Sequence, residues 1–132
     1  MGVLATNTRE IRFYYHSGNS IGRQVLGYIH SSDKKVLEID VAATKVTGTQ
    51  WLELAHGLGV GVQELIDVSH PDFVKTYGKD VTPDDERDWL MILEKSPSLL
   101  KYPIIVSGDT YRQIKTPADV KIYLDAERAG PD

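Results

Sequence analysis

A chain of 132 residues, 41% hydrophobic and 26% charged, is sized for one domain around one core, expected here over residues 1–132 with short tails at 1–9 and 126–132. A formal net charge of −4 gives no basic footprint for direct nucleic-acid binding or for an anionic membrane surface. The absence of cysteine removes disulfides, thiolate metal sites and thiol catalysis together. No apolar run reaches the roughly 20 residues that span a bilayer, and the N-terminus lacks a basic stretch followed by an apolar one, so the expected location is the cytoplasm.

Ile11, Phe13 and Tyr15 alternate with Arg12 and Tyr14 in a β-branched and aromatic run, which predicts a first strand. Ser17-Gly18-Asn19-Ser20 supplies turn and cap chemistry, with Asn19 as the capping residue. Ile21, Val25, Leu26 and Ile29 then recur at helical spacing up to about Ser31. After a polar turn, Val36 to Val41 reads as a second strand, and a strand, helix and strand of this size form a βαβ unit with parallel strands.

The middle third changes period. Trp51, Leu52, Leu54 and Ala55 mark a helix over Thr49–Leu58, capped by Thr47 or Thr49, and Gly57, Gly59 and Gly61 read as its end and turn rather than as a dinucleotide loop, because no strand precedes them. Val62–Val68 and Asp72–Tyr77 are expected to be short helical pieces divided at His70-Pro71. Thr82-Pro83-Asp84-Asp85-Glu86 has the composition of a helix start: a capping hydroxyl, a first-position proline, then acids that suit the helix dipole. Trp89, Leu90, Ile92 and Leu93 form its apolar stripe. Pro103 to Val106 and Thr110 to Ile114 read as a hairpin turning at Ser107-Gly108-Asp109, and a last helix follows from Thr116-Pro117.

The order β, α, β, helices, β, β, α, with Arg23 after the first loop, Leu65-Ile66-Asp67 leading into Phe73-Val74-Lys75-Thr76-Tyr77-Gly78, and Ser98 to Val106 around Pro103, resembles the arsenate-reductase-like branch of the thioredoxin fold. That branch also holds the Spx-type transcription regulators, and the likeness runs roughly from Ile11 to Leu124. It implies an α/β, thioredoxin-like domain with a four-stranded mixed sheet and a helical insertion between the βαβ and ββα units. The first and last helices are expected on one face of the sheet and the middle helices on the other. The resemblance also implies a cis bond between Tyr102 and Pro103.

The resemblance places the family's catalytic cysteine at Asn19 and the second cysteine of its C-x-x-C members at Gly22, with Arg23 retained. The family's oxyanion-binding arginines fall on Asp67 or Val68, on Tyr102 and on Lys115. A carboxamide can neither attack arsenate nor carry electrons, so no catalytic residue is expected, and the loop His16, Ser17, Gly18, Asn19, Ser20, Gly22 and Arg23 reads as vestigial. His16 beside Ser20 suggests a base and a nucleophile, but no third group orients them. The four histidines show no ligand spacing, and neither a metal nor a cofactor is expected. Tyr14, Tyr102, Pro103 and Lys115 are the candidate ligand-facing residues. Two roles follow. One is non-catalytic binding of a protein partner, as the resemblance to Spx-type proteins implies; the other is binding of a small anion or glutathione at the helix start.

Overall fold

The computed structural model describes residues 10–79, 83 and 85–124. Both expected tails, at 1–9 and 126–132, lie outside the described residues. Strand β1 (Ile11–Tyr15), helix α1 (Ser20–Ser31) and strand β2 (Val36–Asp40) form the βαβ unit, with β1 and β2 parallel and in register from Ile11 opposite Val36 to Tyr15 opposite Asp40. Strand β3 (Ile104–Ser107) lies antiparallel against the other side of β1, and β4 (Thr110–Gln113) lies antiparallel against β3. The sheet order is therefore β2-β1-β3-β4, the thioredoxin-like arrangement that the element order implies. Gly108 turns the hairpin with φ 59°, a left-handed conformation that glycine adopts without a Cβ penalty.

The alternation along β1 sorts the core into two layers. Ile11, Phe13 and Tyr15 point to the face covered by Val25 and Ile29 of α1 and by Val120 and Leu124 near the chain's end. Tyr14 points to the opposite face, under the middle helices α2 (Gly48–Leu58), α3 (Pro71–Tyr77) and α4 (Glu86–Lys95), where Trp51, Leu54, Phe73, Trp89 and Leu93 pack. Each such side chain contributes roughly 1.5–3 kcal/mol by leaving water.

Local chemistry sets most boundaries. Thr47 caps α2 reciprocally with Gln50, and Gly59 ends that helix at φ 74°. Tyr111 of β4 lies over Gly57, where an added Cβ would sit 2.5 Å from its ring, so α2 approaches the hairpin as closely as it does only with glycine there. His70 caps α3, with Pro71 at its first turn. Thr116 caps a 3-10 turn, Pro117–Val120, which runs into helical residues 121–124.

Three expectations need correction. Val62–Val68 is helical only over Val62–Leu65, as a 3-10 turn. Ile66 is instead extended and bridges Leu100, with the Asp67 N–H donating to the Leu99 carbonyl at 2.8 Å and the Lys101 N–H to the Leu65 carbonyl at 2.7 Å. Helix α4 starts at Glu86, not after Thr82: Asp85 is the cap, accepting from the Arg87 N–H at 3.0 Å, and the Pro83 carbonyl accepts from the Trp89 indole N–H at 3.0 Å. Thr82 itself lies outside the described residues. The Tyr102–Pro103 bond is trans, as no described peptide bond is cis. Trans is the lower isomer of an X–Pro bond by about 0.5–1 kcal/mol. The Lys101 N–H and the Pro103 carbonyl, which accepts from Ile114 N–H at 2.8 Å, are both satisfied on that extended path into β3.

Candidate functional site

The loop between β1 and α1 is where a helix N-terminus meets the carboxyl ends of two parallel strands, a usual position for a ligand in such sheets. Asn19 is the N-cap of α1, in extended conformation, and its side-chain oxygen accepts from the Gly22 N–H at 3.1 Å. Gly22 is buried against the strand: a Cβ there would lie 3.2 Å from the Tyr15 Cβ and 3.3 Å from the His16 carbonyl. The resemblance's second thiol position is therefore the close contact of helix on strand.

The rest of the loop is occupied by its own groups. The Gly18 N–H donates to His16 Nδ1 at 2.9 Å, and the Asn19 N–H donates to the His16 carbonyl at 2.9 Å. The Ser17 N–H donates to Asp40 Oδ1 at 3.0 Å, and the Ser17 carbonyl accepts from the Arg23 guanidinium at 3.0 Å. Ser20 Oγ accepts from Gln24 Nε2 at 2.9 Å, so the hydroxyl serves its own helix rather than His16. Of the first-turn amides, those of Ser20 and Ile21 have no acceptor among the described residues.

Asp40 is the residue that sequence reasoning missed. It ends β2 opposite Tyr15, which sets its carboxylate beside the loop, and it also accepts from the Ala42 N–H at 3.0 Å. Burial acts to raise its pKa, but the bonds from Ala42 and Ser17 and the nearby His16 outweigh it and hold the carboxyl below its ordinary value. The strand register, aligning Val36 with Ile11, was the available signal for this placement. A carboxylate there opposes the dipole's attraction for an anion.

The remaining candidates divide. Tyr14 is buried in the core under the middle helices; its hydroxyl accepts from Arg12 at 2.9 Å, and burial, only partly offset by Arg12, raises its pKa. Pro103 is buried at the entry to β3. Tyr102 and Lys115 do meet: the Lys115 ammonium lies 5.9 Å from the Tyr102 ring centre, and the Lys101 ammonium lies 5.6 Å from the same ring. Lys101 had no sequence signal beyond standing next to Tyr102. Asp67 is turned into its own loop, accepting from the Ser69 N–H and hydroxyl at 3.0 and 2.6 Å. Val68 is exposed.

These features define a thioredoxin-like domain in which Asn19 caps the first helix. Comparison with known proteins narrows the fold further. An arsenate reductase from Vibrio cholerae superposes with a TM-score of 0.72 at 18% identity, covering 88% of this chain and 98% of its own. A provisionally assigned arsenate reductase from Yersinia pestis superposes with a TM-score of 0.73 at 20% identity, covering 85% of this chain and 98% of its own. An arsenate reductase-related protein from Brucella melitensis gives 0.62 at 12% identity, covering 86% and 93%. The chain therefore has the arsenate-reductase-like form of the thioredoxin fold, without a cysteine. No protein-family model matches the sequence, and no curated protein matches it.

Proposed function

We propose that this chain is a non-catalytic member of the arsenate-reductase-like group, a cytoplasmic protein that acts by binding a protein partner. One observation carries the reading: Asn19, on which the resemblance sets the family's catalytic cysteine, caps α1 with its side-chain oxygen committed to the Gly22 amide. Reduction of arsenate by this family passes two electrons through a sulfur, and a capping carboxamide supplies neither nucleophile nor electrons. His16, Ser17, Gly18, Asn19, Ser20, Gly22 and Arg23 then form a vestigial loop whose polar groups serve the fold. No helix among the described residues is long and apolar enough to cross a membrane.

A second reading, binding of a small anion or glutathione, draws support from the two ammonium groups around Tyr102 and from the acceptor-free amides of Ser20 and Ile21. Asp40 and the satisfied loop weigh against it. The test has two arms. Purified protein given arsenate, glutathione and either glutaredoxin or thioredoxin is expected to show no turnover above background, and sustained cysteine-free reduction overturns the proposal. In the second arm, a native-lysate pull-down is expected to recover a stoichiometric protein partner. Its absence, together with a thermal shift on adding glutathione or arsenate, selects the second reading.

A further inference from the structure

Helix α4 has two unlike faces. Trp89, Ile92 and Leu93 turn inward to the core, while Met91 on the opposite side is 58% exposed. Asp88, Met91, Ile92 and Lys95 stand at positions i, i+3, i+4 and i+7 and form one wall of a groove of about 320 Å³, with Tyr77 and Pro83 opposite. Among the described residues, the carboxylate of Asp88 and the ammonium of Lys95 make no ion pair. An exposed methionine flanked by an acid and a base with no ion pair among the described residues is an unfinished surface, and methionine adapts readily to whatever packs on it.

We infer that a second copy of this chain covers this face, with the two α4 helices antiparallel about a twofold axis near Met91. The charge order decides the occupant. Read along the helix, the stripe runs acid, methionine, base, and rotating it by half a turn brings Asp88 of each copy to Lys95 of the other. Met91 meets its own counterpart at the centre. A self-complementary patch of this kind is what an isologous interface requires. Asp88 and Lys95 are two helical turns apart, about 10 Å, so both ion pairs form at once in that arrangement. The antiparallel helix dipoles add to it. A single helix face is a small contact, which sets the association at the weak end of the range and makes it dependent on concentration.

The test is sedimentation velocity on the full chain across a series from micromolar to near-millimolar. The wild type is expected to pass from monomer to dimer. Asp88→Lys alone and Lys95→Asp alone each set like charges together at two symmetry-related contacts and should weaken association roughly a hundredfold. The double variant Asp88→Lys/Lys95→Asp should restore it. Restoration also guards against misfolding, since the double variant carries both unfavourable charges at the helix ends and would be the least stable of the three. Met91→Lys, mid-helix and free of end effects, should weaken association likewise. A wild type that stays monomeric throughout overturns the proposal and leaves the groove to another occupant. Single variants that associate like the wild type, or a double variant that fails to recover, also overturn it.

Discussion

The start of α1 and the outer face of α4 are both accessible helical surfaces, and they differ in how their polar groups are satisfied. At α1, the amides of Ser17, Gly18, Asn19 and Gly22 each have an acceptor within the loop or on Asp40, and the Arg23 guanidinium is bound to the Ser17 carbonyl. At α4, Met91 is open, and Asp88 and Lys95 have no partner among the described residues. In the first region the polar groups turn inward to the fold, apart from the amides of Ser20 and Ile21. The second offers an apolar, charged surface to another molecule. The two surfaces are thus set apart by the local satisfaction of their polar groups.

Substitutions can press on each side of this contrast. The largest effect belongs to the inward face of α4. Trp89→Ala removes an indole that is 6% exposed, stacks with Phe73 and donates to the Pro83 carbonyl, so chemical denaturation should show a loss of about 3–5 kcal/mol. At α1, Asn19→Ala removes the cap and should cost about 1 kcal/mol in the same measurement, as a structural residue would and a bystander would not. Asp40→Asn should have the smallest effect, below about 1 kcal/mol after solvent screening, and a definite pH dependence. The folded-state pKa of Asp40 is depressed, so its contribution is fully present above the ordinary carboxylate value and is lost as the pH falls through the lower folded value. The gap between wild type and Asp40→Asn should therefore be widest at neutral pH and close in acid; a gap that persists in acid would mean that the charge is not what stabilises the loop.

The residues that made the fold legible act locally. Alternation along Ile11–Tyr15, the Asn19 cap, the Thr47 capping box and Pro71 at a helix start all work through neighbours within four positions, and each is where the sequence suggests. What sequence reading lost depends on distant partners. Asp40 meets Ser17 across 23 positions through strand register. Ile66 gives up helical conformation for a bridge to Leu100. Thr82-Pro83 carries a helix-start composition, yet Asp85 takes the cap while the Pro83 carbonyl serves Trp89. Lys101 joins Lys115 at Tyr102 only because β3 and β4 form a hairpin, and neither residue type announces a partner.

The proposed function requires the start of α1 to have the geometry of a thiol-presenting helix end from which the thiol is missing. Titration of the single thiol in Asn19→Cys tests it most directly. A thiol at that position lies against the first-turn amide of Gly22 and close to Arg23, and both favour the thiolate. The thiol should therefore titrate below the reference value of about 8.5. A thiol that titrates at or above that reference would contradict the claim.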